Sequence, residues 1–188
     1  PTGGTQRTDG GTRMATTGAI NPATAGTVGA VPNRAADAGD AVVERAKQAL
    51  PEWLDTTPKE RSELLYKLAQ ILEDNAEELA QIESRNVGKP LMVSRDEMPF
   101  SADNLRFFAG AARNLEGKSA GEYIKGFTSM NRRAPLGLVS RICPLNYPLL
   151  LSVWEMGPGT AACDVPYLTP AERPHLPRHG PRQPRQHG

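Results

Sequence analysis

Apolar residues recur at helical spacing through the first two thirds of the chain and then give way to shorter runs of strand character. Asn21-Pro22-Ala23-Thr24 predicts a turn, followed by an extended piece ending at Val31-Pro32. From Ala35, the residues Val42, Val43, Ala46 and Leu50 follow a helical period, and Pro51 predicts its stop. Thr57-Pro58-Lys59-Glu60 combines a hydroxyl cap, a proline suited to the first helical position and a Glu placed to reach back to the cap. The helix it opens carries Leu64, Leu65, Leu68, Ile71 and Leu72 on one face. Leu79, Ala80 and Ile82 form the next apolar set, ended by Gly88, a residue suited to a left-handed cap, and by Pro90. A further helix is predicted from about Val93 to Leu115, with Leu105, Phe108, Ala109 and Ala112 buried and Pro99 either kinking it or starting a second helix.

Beyond Gly117 the period changes. Glu122 to Phe127 and Thr128 to Arg133 read as extended segments with a bend at Gly126, and Leu136 to Ile142 reads as a buried strand. Pro144 to Pro148 is a loop, Leu149 to Ala162 a helix despite Gly157 and Pro158, and Val165 to Leu168 a following strand. Helices followed by strand, loop, helix and strand predict an α/β fold that begins a βαβ unit.

Composition narrows the classes. The chain has 188 residues, with Lys and Arg numbering 22 against 21 Asp and Glu. Its longest apolar stretch, Ile142 to Met156, is broken by Pro144, Asn146, Pro148 and Glu155, short of the ~20 apolar residues a membrane helix needs. Two cysteines, Cys143 and Cys163, cannot build a disulfide framework, and the first residues lack a signal-peptide layout, so a cytoplasmic location is expected. Residues 1–18, mostly Gly and Thr, predict a disordered segment. Residues 173–188 hold four Arg, four Pro and all three His with no acid, predicting a disordered tail, and leave the rest of the chain mildly acidic. A nucleic-acid partner is therefore not expected, apart from nonspecific phosphate contacts by that tail, which has no aromatic residue for stacking.

Several segments, in order, resemble the N-terminal part of NAD(P)-dependent aldehyde dehydrogenases. They are Asn21 to Thr24, Glu83-Ser84-Arg85-Asn86-Val87-Gly88-Lys89-Pro90, Arg106-Phe107-Phe108-Ala109-Gly110-Ala111-Ala112-Arg113, Ala120 to Tyr123, and Pro144-Leu145-Asn146-Tyr147-Pro148. The stretch from Arg106 to Met130 is most similar to the aminobutyraldehyde and betaine-aldehyde branch. The resemblance implies an incomplete aldehyde-dehydrogenase-like fold, with an N-terminal helical layer and the start of a Rossmann-like parallel sheet. It places a partial cofactor-binding domain over 19–172, with an oligomerisation ribbon at 119–135. It also implies oxidation of an aldehyde, such as 4-aminobutyraldehyde, to a carboxylate with NAD or NADP through a cysteine thioester.

Within that pattern Asn146 corresponds to the oxyanion-stabilising Asn of the family's Pro-Trp-Asn-Tyr/Phe-Pro loop. Leu145 replaces the Trp, and Arg141 puts a charge into the preceding apolar run, which is costly if buried alone and inexpensive on a solvated face. Counting on without a gap, the family's Lys-Pro-x-Glu segment, which meets the adenosine ribose, falls on Thr169-Pro170-Ala171-Glu172, so Glu172 is kept and the Lys is Thr169. The family's nucleophilic Cys and general-base Glu have no counterpart here, and the tail reads like a GC-rich frame read out of register. Inactivity of this chain alone is expected, with a noncatalytic module that pairs with a full-length paralogue as the alternative.

The other candidates read as structural. Cys143 is a small buried hydrophobe at a strand end, and Cys163 stands where the family has a helix-ending Gly. His175 and His179 have metal-tail spacing but no tight Cys pair, so no metal site is expected. The acids of the first helices, Glu60, Glu73, Glu77 and Glu83 among them, are interleaved with Lys and Arg as on solvated faces.

Overall fold

The computed structural model describes residues 16–32, 36–119 and 121–170. Strands β1 (Thr16–Ile20) and β2 (Thr27–Pro32) pair antiparallel around the Asn21–Thr24 turn, where the Asn21 side chain accepts a hydrogen bond from the Ala23 N–H at 2.9 Å. Thr16 to Gly18, expected to lack structure, are thus the first half of β1. Residues 1–15 and 171–188, including Glu172, His175 and His179, lie outside the described residues. The turn rests on the helical layer, since a Cβ at Gly88 would meet Pro22 at 2.9 Å.

Four helices follow: α1 (Ala36–Leu54), α2 (Pro58–Asp74), α3 (Ala76–Val87) and α4 (Leu91–Ala112). The cap at Thr57 forms as its residues predict. The Glu60 N–H donates to Thr57 Oγ1 at 3.3 Å and the Thr57 N–H donates to Glu60 Oε2 at 2.7 Å. Gly88 closes α3 with φ +77°, which a Cβ would strain.

Prolines behave less simply. The helix expected to stop at Pro51 runs on to Leu54, because its last turn is anchored from outside. Trp53 O accepts from the Thr56 hydroxyl at 2.6 Å and from the Cys163 thiol at 3.4 Å. Pro99 neither starts a second helix nor divides α4. Met98, Ser101 and Ala102 on either side of it are fully buried, and that burial outweighs one lost hydrogen bond.

Helix α4 is the centre of the layer, with α2 and α3 packed on it. Leu65, Ala69 and Leu72 of α2 meet Met98, Ala102, Leu105 and Ala109 of α4 in one cluster with Ala80 of α3. The expected five-residue apolar face of α2 is divided by this packing: Leu64, Leu68 and Ile71 remain exposed. Phe108 is half-buried rather than buried. The outer surface of α3 and α4 carries a two-pronged ion pair, in which Arg95 donates to both oxygens of Glu77 at 2.7 and 2.8 Å. These bonds, and one from Gln81, hold the Glu77 carboxyl down at about 2. A carboxyl lowered by folding stabilises above its ordinary value and loses that contribution as pH falls through the folded value. Urea unfolding is therefore expected to show stability declining from pH 4.5 toward 2, with a part of the slope abolished by Arg95→Ala and weakened by salt.

Past α4 the chain forms a thin hairpin. Strand β3 (Lys118–Ser119) pairs with β4 (Met130–Asn131), and Ile124 bridges to Phe127 across Gly126 at φ +83°. Strand β5 (Leu138–Cys143), helix α5 (Pro148–Ala161) and strand β6 (Val165–Pro170) then make the expected βαβ unit, with β5 and β6 parallel. Arg141 is paired at one end of its guanidinium and, among the described residues, unpartnered at its buried Nε. It is half-exposed and its guanidinium lies 3.2 Å from Glu155 of α5.

Helix α5 packs on α4 through a close approach at Gly157, where a Cβ would overlap the ring of Phe108. Gly157→Ala is expected to cost about 1–3 kcal/mol of stability by overpacking, and Phe108→Leu in the same background to recover part of it. At its C-terminus α5 ends in two backbone bonds, Asp164 N–H to Gly159 O at 2.8 Å and Cys163 N–H to Thr160 O at 3.3 Å. This motif puts its left-handed residue at Cys163, φ +72°, where glycine is favoured. At this position Gly is expected to be more stable than Ala by about 1 kcal/mol, the reverse of their order inside a helix. Thermal melts of Cys163→Gly and Cys163→Ala check it.

Candidate functional site

The carboxyl ends of β5 and β6 lie at one edge of the sheet, Cys143 opposite Pro170 and Ile142 opposite Thr169. Ligand crevices of open α/β sheets lie at this edge. The loop from Pro144 to Tyr147 leaves β5 there, and Pro148 occupies the first turn of α5, where its missing N–H costs nothing. Asn146 is exposed on this loop, and Leu145 beside it is half-buried. Together with Val87, Gly88 and Lys89 from the end of α3 they line an open cleft of about 540 Å³. The junction after α3 and the loop after β5, separated by more than fifty positions, thus form one wall.

Below the cleft lies a cluster of charge. Lys89 Nζ donates to Glu83 Oε1 at 2.5 Å and to the two oxygens of Glu97 at 2.6 and 2.7 Å. The Lys89 side chain is 11% exposed, and those of Glu83 and Glu97 are 6% and 7%. Its ammonium also lies 4.4 Å from the centre of the Tyr147 ring. Burial, and next to it the second carboxylate Glu83, push the Glu97 carboxyl up, while Lys89 pulls it down. Glu83, expected on a solvated face, is therefore buried. Seen along one helix it alternates with cations like its neighbours, but α4 closes over it and supplies a second acid to the same ammonium. The pattern Glu83 to Lys89 across a glycine cap was a signal for this cluster, whereas nothing near Glu97 in sequence marks it as a partner.

Both cysteines are free and buried. Cys143 is buried, its sulfur 3.5 Å from Ser152 Oγ and from Pro144 O, and Cys163 is buried against Trp53 and Thr56. Asp164 joins the two strands: its carboxylate accepts from the Gly137 N–H at 2.9 Å, and the Val165 N–H returns a bond to Gly137 O at 2.7 Å. Thr169 is placed by the backbone of β6 at the ligand edge, whereas Glu172 falls beyond the described residues. Among the described residues no group of three His, Cys, Asp or Glu could hold a metal ion, and no helix is long and apolar enough to cross a membrane.

Residues 10–176 match the model of the aldehyde dehydrogenase family, and the chain belongs to that family. The human 2-aminomuconic semialdehyde dehydrogenase is 36% identical over 143 residues, which is 76% of this chain and 29% of that protein. Among solved structures, PnpE in complex with nicotinamide adenine dinucleotide is 36% identical with a TM-score of 0.80, covering 83% of this chain and 32% of that one. A point mutant of the Staphylococcus aureus betaine aldehyde dehydrogenase, in complex with NAD+, is 26% identical with a TM-score of 0.80, covering 83% of this chain and 32% of its own. The chain spans about a third of the length of the relatives it matches.

Proposed function

We propose that this chain supplies the helical layer, the oxyanion loop and the first βαβ unit of an enzyme that oxidises an aldehyde to its carboxylate with NAD or NADP. The observation that carries this reading is the position of Asn146: exposed beside a cleft, at the ligand edge of a parallel sheet, in a chain of the aldehyde dehydrogenase family. An Asn side-chain N–H₂ there can donate to the oxygen on which charge develops when a thiolate adds to the carbonyl. NAD(P) accepts the hydride when bound. Of the family's cofactor contacts, Thr169 would offer one neutral hydrogen-bonding group where a Lys would bring charge, and with that partner gone Glu172 reads as an ordinary acid, so cofactor affinity through this pair is weakened.

Neither described cysteine faces the Asn146 cleft as a free nucleophile, so these 188 residues by themselves are proposed to be inactive. The substrate class is an aminoaldehyde, such as 4-aminobutyraldehyde, on the similarity of residues 106–130 to that branch. The test is a chimera joining residues 16–170 to the remaining two thirds of the human relative. NADH formation by the chimera and none by the 188-residue chain is the expected result. Turnover by the chain alone overturns the placing of the nucleophile elsewhere, and a folded but silent chimera overturns the activity.

A second reading has its own observation. On the β3–β4 hairpin Tyr123, Ile124, Phe127 and Met130 are exposed at 80%, 67%, 69% and 65%. A thin ribbon with uncovered apolar side chains and open edges is a template for pairing. The chain would then associate through 119–135 with a second copy or a full-length paralogue, and sedimentation of wild type against Phe127→Ser checks it by the loss of the associated species.

A further inference from the structure

Asn146 must point its amide at one place to be of use, yet no hydrogen bond to its side chain is found among the described residues, and the bonds from the Cys143 thiol to Pro144 O and Pro148 O hold the ends of its loop and not its middle. The stiffening comes from the residue after it. Tyr147 is the N-cap of α5 and holds the helix's first turn through a bond from the Leu151 N–H to its carbonyl at 2.9 Å, but it makes no side-chain cap bond. Its ring instead lies against the Lys89 ammonium.

That ammonium is itself fixed. Three bonds, to two carboxylates from different helices, leave it one position and almost no exposure to water. A cation so held is attracted to an aromatic face more strongly than a solvated one, because little hydration is exchanged for the contact. The backbone of the same segment is tied as well: Ser84 Oγ donates to Lys89 O at 2.8 Å, and Gly88 N–H donates to Ser84 O at 2.9 Å.

We infer that Lys89, clamped by Glu83 and Glu97, is a positioning residue that seats the Tyr147 ring and so orients the Asn146 amide toward the cleft. This rests on the reading of Asn146 given above but does not depend on turnover for its test. The ring is the element required: Phe presents the same face and Leu does not.

The experiment is NMR on the full 188-residue chain. In the wild type the Lys89 Hε signals are expected upfield, shifted by the Tyr147 ring. Tyr147→Phe should keep that shift, and Tyr147→Leu should abolish it and speed amide exchange over Leu151 to Val153, the first hydrogen-bonded amides of α5, about tenfold. The neutral replacement Glu83→Gln, Lys89→Met, Glu97→Gln removes the cation without leaving buried acids, and it should loosen the same amides and move the Asn146 side-chain amide signals. Equal loop exchange in Phe and Leu variants, or an unmoved loop in the neutral triple variant, overturns the inference. A chimera in which Asn146 proves inert, with the Lys89–Tyr147 coupling intact, would instead sink the activity reading and leave this one standing.

Discussion

Lys89→Met is expected to cost about 3–5 kcal/mol of unfolding free energy, the range for breaking a buried ion pair from one side. The reason is less the lost attraction than what stays behind. Glu83 and Glu97 are each less than a tenth exposed, and without the ammonium two carboxylates face each other with no cation. The pH dependence separates this from simple loss of packing. Already in the wild type Glu97 binds its proton more tightly folded than unfolded, through burial and the nearness of Glu83. A carboxyl raised by folding contributes stability that is present below its ordinary value and lost as pH rises through the folded value. Removing Lys89 raises the Glu97 value further, so the penalty should be largest near neutrality, shrink as pH falls through that raised value and level off below about 4.5. Urea unfolding of Lys89→Met at several pH values reads this directly. Adding Glu97→Gln should recover part of the loss at neutral pH and little at acid pH. A pH-independent penalty would assign the cost to the aliphatic stem alone.

Asn146→Ala in the chimera with the human relative is expected to lower kcat about 100- to 1000-fold, the effect of removing one oxyanion donor. Because Asn146 is exposed on a loop, the same change should leave the unfolding free energy within about 0.5 kcal/mol of the parent. A large kinetic effect with no stability effect is what a group acting on developing charge produces. Equal losses in both would mark Asn146 as a turn residue, and an unchanged kcat would remove it from the chemistry. Leu145→Trp, restoring the family's indole beside it, gives a second measure through KM and kcat, since Leu145 lines the same cleft.

Local chemistry was sufficient for much of this molecule. Thr57 with Glu60, Gly88 before Pro90, the Asn21–Thr24 turn and the Pro148 helix start all act through groups within about four residues, so the text of those segments determined where α2 begins, where α3 ends and where the Asn146 loop turns. The β5–α5–β6 order, and with it the ligand edge of the sheet, followed from the change of hydrophobic period. The strained Cys163 was marked only by the resemblance to the family, as a side chain standing where its members have a helix-ending glycine.

What the chain alone could not decide depends on elements that meet only after folding. A leucine stripe on α2 does not say which of its flanks α4 will cover, so Leu65, Ala69 and Leu72 are buried while Leu64, Leu68 and Ile71 are not. Pro51 and Pro99 weaken a helix locally; bonds accepted by Trp53 O hold the last turn of α1, and burial on both sides of Pro99 carries α4 through. Glu83 looks like its solvated neighbours until α4 brings Glu97 to the other side of Lys89 and the β5–α5 loop lays Tyr147 over it. Coulomb attraction and burial depend on distance in space, and Glu83, Lys89, Glu97 and Tyr147 acquire their short distances only when two helices, the junction between them and the β5–α5 loop converge.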